Sequence, residues 1–301
     1  MKHKTNLVII LLLVFCCGCQ KSEIKTYSWK FSDCEEDWAL CLLYPEEENK
    51  MYSLKDPIKV AVLDSGFNTD LSVFEDMNVE SYSAIDGENP DADDFGHGTA
   101  IAGLISYPYY LNRDKGVNIE LLNVKVLNDK GSGQVEDIVK GIEWSIEQDA
   151  DIINMSFGFQ KNDPNLEAAI GLAAEKNITL IASAGNNMGL STDYPAAYEN
   201  VISISSINKN MERDNLTSIG KVDFMSPGVD LVVFKPDGSK DIASGTSLAT
   251  AYATGIVANL MTREQLDSPD EVKRYLRDNA VDLGEAEEDH SYGYGLLRYD
   301  K

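Results

Sequence analysis

Histidine is scarce in this sequence: three in 301 residues, so chemistry that needs an imidazole has few places to find one. Cysteine is almost as rare. Its five copies are unevenly placed, which excludes a disulfide scaffold. Cys34 and Cys41 have no histidine nearby and no C-x-x-C is present, so no cysteine metal site is expected. Cations are outnumbered, 26 Lys+Arg against 50 Asp+Glu, for a formal net charge of −24. A nucleic-acid surface needs the clustered Lys and Arg that this chain lacks. There is no internal repeat and no low-complexity stretch. What is abundant is apolar: 43% of residues are hydrophobic, far more than a disordered acidic chain carries.

The apolar run at residues 7–15 follows Lys2 and Lys4 and precedes a polar segment. It is too short to span a bilayer and has the layout of a secretory signal. Gly18-Cys19 at its end resembles the lipobox of bacterial lipoproteins, with Cys16 where a leucine is usual. Residues 1–18 therefore read as a lipoprotein-type signal peptide and Cys19 as the lipidated residue, with simple secretion as the alternative. A lipid there anchors a protein to the outer face of a bacterial cell membrane without spanning it. Removal of residues 1–18 takes away Lys2 and Lys4 and no acid, so −24 becomes −26. Outside the cytosol Cys34 and Cys41 are free to pair or to remain thiols.

Residues 19–55 read as a polar tether or short pro-segment, and 56–301 as one α/β domain. Short apolar stretches at 58–64, 119–127, 151–157, 178–183 and 201–207 predict strands. Residues 137–148, 166–176, 245–261 and 269–279 predict helices, the last with Ser268 as N-cap and Pro269 at the first position. This alternation predicts a mainly parallel sheet with helices on its faces. Functional residues then gather at the carboxyl ends of the strands, where Asp64, Ser156 and Asn186 fall.

His3 leaves with the signal, and His290 lies in an acidic loop that suits a solvated residue. His97 stands between glycines in Gly96-His97-Gly98-Thr99, before small residues that suit a buried helix start. Asp64 ends an apolar strand, where a carboxylate needs hydrogen bonds. Ser247, in Gly245-Thr246-Ser247-Leu248-Ala249, opens the long apolar helix, whose first N–H groups are free. Asn186 follows a buried strand in Ala184-Gly185-Asn186. Each has a plain structural reading too: a turn aspartate, a core histidine, an N-cap serine, a turn asparagine.

Together, Asp64-Ser65-Gly66, His97-Gly98-Thr99 and Gly245-Thr246-Ser247-Leu248-Ala249, in that order, resemble the subtilisin-like serine proteases. Val124-Lys125-Val126-Leu127, Gly131-Ser132-Gly133-Gln134, Asn154-Met155-Ser156-Phe157-Gly158, Met225-Ser226-Pro227-Gly228 and Tyr292-Gly293-Tyr294-Gly295 agree with it. The resemblance covers about residues 56–299. It implies a three-layer α/β fold and a monomeric serine endopeptidase acting on peptide or protein substrates. In it Ser247 is the nucleophile, His97 the base, Asp64 its orienter and Asn186 an oxyanion donor. It also implies that substrate lies extended between Ser132 and Gly133 on one side and Ser156, Phe157 and Gly158 on the other. An inactive binding module would need none of the four polar residues together. A serine esterase of the other large class would carry Gly-x-Ser-x-Gly and the order Ser, Asp, His.

The chain departs from the family at Ala100, at Ala251-Tyr252, and between His97 and Lys125, where the sequence that follows the main calcium loop is missing. No cofactor is required for the chemistry, and a structural Ca2+ is in doubt, although acids are plentiful. Asp193 falls where many members carry glycine at the end of the main specificity pocket. That implies a preference for Arg or Lys before the scissile bond. Asp94 would favour a basic residue one position earlier, and Asp93, Asp94 and Asp193 together would steer cationic peptides. Members with reduced pro-regions include enzymes that remove leader peptides from lantibiotic precursors, so a processing role is conceivable.

Overall fold

A computed structural model describes residues 38–43, 56–112, 116–285 and 288–298. The signal segment, Cys19 and Cys34 lie outside the described residues, as does the Cys41 side chain. Seven strands form one all-parallel sheet in the order β2-β3-β1-β4-β5-β6-β7. These are β1 (Ile58–Asp64), β2 (Val79–Ser83), β3 (Ile119–Lys125), β4 (Ile152–Met155), β5 (Thr179–Ser183), β6 (Val201–Ile207) and β7 (Phe224–Pro227). A small antiparallel hairpin, β8 (Leu231–Phe234) with β9 (Lys240–Ala243), stands apart.

Strands β1, β4, β5 and β6 are buried along nearly their whole length, so they read as apolar runs without alternation. Helices cover both faces. On one, α2 (His97–Asn112) packs against α5 (Thr246–Glu264), and their apolar residues share a core with Val60, Val62, Ile181 and Ile204. On the other, α3 (Val135–Glu147) and α4 (Pro164–Glu175) cover Ala61, Leu63, Ile153 and Leu180. The expected three-layer fold is what the chain adopts. Helix α5 is buried on all sides from Leu248 to Thr262, which is why its sequence carries no polar stripe.

The helix starts follow their signals. Ser268 accepts from the Glu271 N–H (3.3 Å) ahead of α6 (Pro269–Asn279), and Asp163 caps α4 in front of Pro164. Two expected strands end early, and for a physical reason. The N–H groups of Val126 and Leu127 both donate to Asp64 O (2.8 and 3.0 Å), which turns the chain over the end of β1. Residues Ser156 to Gly158 leave the sheet beyond β4.

Part of the segment read as a tether is folded against the domain. Residues Trp38–Leu43 form α1, with Ala39 buried and the Trp38 indole donating to Val229 O (3.1 Å). At the sheet's far edge, Asp223 accepts from Lys221 Nζ (2.7 Å), Lys273 Nζ (2.9 Å) and Ser203 N–H (2.8 Å). Lys221 also donates to the Val201 carbonyl. No described helix is long and apolar enough to cross a membrane.

Candidate active site

The carboxyl ends of β1, β4 and β5 meet the first turns of α2 and α5, and there the sequence-predicted residues converge. Asp64 is the last residue of β1 and is 1% exposed. Its carboxylate holds His97 Nδ1 at 2.8 and 3.0 Å and accepts the Ser65 N–H at 2.8 Å. His97 opens α2 and stays partly exposed, so one ring nitrogen is committed to Asp64 and the other faces the cleft. Burial of the ring lowers its pKa. The Asp64 charge and hydrogen bond, helped by Asp93, outweigh that and leave it above its ordinary value.

The loop that delivers His97 is fixed from beneath. Asp93 is buried and accepts from Ser65 Oγ (2.7 Å), Gly96 N–H (2.8 Å) and Thr99 N–H (2.8 Å). The Gly98 N–H in turn donates to Ser65 Oγ (2.9 Å). A side chain at Gly98 would place its Cβ 1.9 Å from Gly66 O, so only glycine fits between the two loops. Lys125, almost fully buried, donates to Ser65 O (2.6 Å) and Ala92 O (3.2 Å) and tethers both. Nothing in the sequence marks Ser65 and Lys125 as supports, since neither carries chemistry. The Asp93 carboxylate is taken up by the loop that carries His97, whereas Asp94 is exposed.

Ser247 is the second residue of α5, after Gly245 and Thr246. Its hydroxyl donates to Ser156 O (2.9 Å), and Ser156 Oγ donates back to Ser247 O (3.1 Å). Among the described residues no hydrogen bond joins Ser247 Oγ to His97, a bond that often tightens only when substrate arrives. Ser156 is itself held by Asn154, and Asn154 by Thr254 of α5 (3.1 and 2.9 Å). Asn186 accepts the Thr246 N–H on Oδ1 (3.2 Å), which leaves its Nδ2 free to donate beside the start of α5.

The two expected substrate edges flank this centre. Leu127 and Gly133 form an antiparallel bridge that closes a tight loop carrying an exposed Ser132. Opposite it, Phe157 is half-buried and Gly158 exposed, and Phe159 exchanges backbone bonds with Tyr194 (2.7 and 2.8 Å). Asp193 lies between two glycines. A Cβ on Gly158 would fall 2.7 Å from Asp193 Cβ, and one on Gly185 would fall 2.3 Å from Asp193 Oδ2. Burial pushes the Asp193 carboxyl up, and a bond from Asn187 Nδ2 (3.3 Å) only partly opposes it. Ser218 Oγ, buried and unpartnered among the described residues, faces the same space. His290 is exposed, as its acidic loop implied.

The profile of the subtilase family matches residues 55–295. The chain belongs to the subtilase family. Its relatives include the minor extracellular protease Epr of Bacillus subtilis (strain 168), 33% identical over 89% of this chain and 42% of that protein. Subtilisin DY of Bacillus licheniformis is 32% identical over 81% of this chain and 89% of its own. Subtilisin Savinase of Lederbergia lenta is 32% identical over 80% and 88%. The chain thus spans less than half of Epr but most of the two subtilisins. The family's reaction class is serine-type endopeptidase, which needs no cofactor. Among the described residues no group of three or more His, Cys, Asp or Glu side chains converges as a metal site.

Proposed function

We propose that this subtilase is an exported endopeptidase that cleaves after Arg or Lys. The observation that carries the hydrolytic reading is the buried Asp64 carboxylate holding His97 Nδ1 at the start of α2, with a serine in the first turn of α5, the helix that packs against it. Ser247 Oγ attacks the peptide carbonyl carbon while His97 Nε2 takes its proton. Asp64 keeps the imidazole in the receptive tautomer and stabilises the cation that forms. The negative charge on the carbonyl oxygen is held by Asn186 Nδ2 and the Ser247 N–H, aided by the positive end of α5. Collapse breaks the C–N bond and His97 returns the proton to the departing amine. Water repeats the sequence on the acyl-enzyme, releasing the acid and Ser247.

Substrate lies extended between Ser132-Gly133 and Ser156-Phe157-Gly158, pairing with both as an added strand. The basic preference is supported by Asp193, whose carboxylate sits between Gly158 and Gly185 where a side chain beside Asn186 would enter. Export and a lipid on Cys19 rest on residues 1–19, and a monomeric, membrane-anchored processing enzyme is the biological setting we favour. A fluorophosphonate probe tests the chemistry: folded protein should be labelled at Ser247, and absence of labelling would overturn the enzyme reading. Fatty-acid labelling that disappears in Cys19→Ala, with release of protein to the medium, tests the anchor; an unlabelled wild type would leave secretion.

A further inference from the structure

The loop that carries Asp193 is backed by a second segment, Ser218 to Lys221. The Ser218 N–H donates to Gly185 O (2.9 Å), the Ile219 N–H to Leu190 O (2.9 Å) and the Thr192 N–H to Ile219 O (3.1 Å). Thr192, buried and next to Asp193 in the chain, also reaches back with its side chain. Its hydroxyl donates to Lys221 O (3.0 Å), with Ile219 O at 3.3 Å as a second acceptor. The backing segment lies outside the seven-stranded sheet, since β6 ends at Ile207 and β7 begins at Phe224. The sheet's own strand pairing therefore does not hold it.

Lys221 ties it down instead. Its ammonium donates to the Val201 carbonyl at the start of β6 and to Asp223 Oδ2 (2.7 Å) just before β7. Asp223 is fixed in turn by Lys273 of α6 (2.9 Å) and by the Ser203 N–H (2.8 Å). A lysine at a sheet edge ordinarily keeps its charged head in water. Here burial lowers the Lys221 pKa; the Asp223 charge and hydrogen bond, with Glu199, oppose the fall, and Lys273 adds to it. An ammonium held in place against that cost acts as a strut. We propose that Lys221 and Thr192 are positioning residues for substrate selection: the Lys221 ammonium pins segment 218–221 to the sheet edge, and Thr192 carries that fixed point to Asp193. This rests on the reading of Asp193 as the acid that selects Arg or Lys.

Attraction to a guest charge about 4 Å away falls by roughly a fifth for about 1 Å of retreat, which is about two- to fourfold in selectivity. Water entering behind a loosened loop adds to the loss. Matched peptides with Arg or Phe before the scissile bond test this on the mature enzyme, each rate taken per site titrated with a fluorophosphonate so that misfolded protein is not counted. Lys221→Met and Thr192→Val should each lower the Arg-to-Phe ratio of kcat/KM by about threefold or more, and Thr192→Ser, which keeps the hydroxyl, should hold it within about 1.5-fold of wild type. The pH at which Arg selectivity is lost should also fall in Lys221→Met, because a better hydrated Asp193 ionises more easily. A merely structural role would change the amount of titrated enzyme and leave that midpoint where it is. A wild type without Arg preference refutes the reading of Asp193 and the strut with it. A preference that survives in both Lys221→Met and Thr192→Val, with the midpoint unmoved, overturns the strut alone.

Discussion

Asp193→Asn removes a charge and keeps the shape of the wedge between Gly158 and Gly185. An arginine guanidinium reaching that place sits about 4 Å from the carboxylate. At an effective dielectric near 20 the attraction is about 4 kcal/mol. The guest sheds part of its hydration and the carboxylate is half-exposed, so about 2–3 kcal/mol of this survives as selectivity. At 1.4 kcal/mol per tenfold, that is roughly 30–150-fold in kcat/KM for Arg over Phe. Initial rates on matched peptides that differ only before the scissile bond read the ratio directly. It should fall by that factor in the variant while cleavage after Phe persists; a change below twofold would refute the assignment. The pH dependence gives a second reading. Burial raises the Asp193 pKa above the ordinary carboxyl range, so Arg selectivity is present above that raised value and lost as pH falls through it. In Asp193→Asn the ratio stays flat with pH. A raised carboxyl pKa also means that ionised Asp193 opposes folding at neutral pH, so the variant should melt no lower than wild type.

The His97 pKa lies above its ordinary 6.5, and only neutral imidazole accepts the Ser247 proton, so kcat/KM should rise with pH through a value above 6.5. Asp64→Asn should move that limb to lower pH and cost about 10⁴-fold in kcat, measured on one good substrate. Asn186→Ala should lower kcat by about 10²–10³ with little change in KM, which steady-state kinetics checks. Lys221 and Lys273 hold the Asp223 carboxyl below its ordinary range against the opposing effect of burial. Its stabilisation is therefore full above the unfolded carboxyl value of about 3.9 and lost as pH falls through the depressed folded value. Asp223→Asn should cost about 3 kcal/mol at pH 7 in urea unfolding, shrinking toward acid.

Much of the molecule was legible because two kinds of residue announce themselves. Fully buried strands such as Ile152–Met155 and Val201–Ile207 are continuous apolar runs, and Ser268-Pro269 is a helix start in any context. Strand β2, Val-Glu-Ser-Tyr-Ser, was not foreseen: it is an edge strand, half-exposed, with neither an apolar run nor alternation. The β8–β9 hairpin escaped for a similar reason, since β9 is mostly exposed. Helix α2 could be seen to begin at His97 but not to continue past Pro108, a residue that usually ends a helix. In the site, Asp64, His97, Ser247 and Asn186 each look like ordinary turn, core or cap residues alone, and stand out only through the joint order of their motifs. Asp93 looked like surface charge because sequence cannot tell a carboxylate that caps a loop from one that faces water.

The sheet order carries a kinetic consequence. Strand β1 supplies Asp64 near the start of the domain, yet its neighbours β3 and β4 arrive later, and Ser247 arrives later still on α5. Parallel pairing of this kind is dominated by contacts distant along the chain, which form slowly because large loops must close first. No nascent or partly folded stretch of this chain can hold Asp64, His97 and Ser247 together. The three side chains come together only once segments far apart in the chain, β1, α2 and α5, have all found their places.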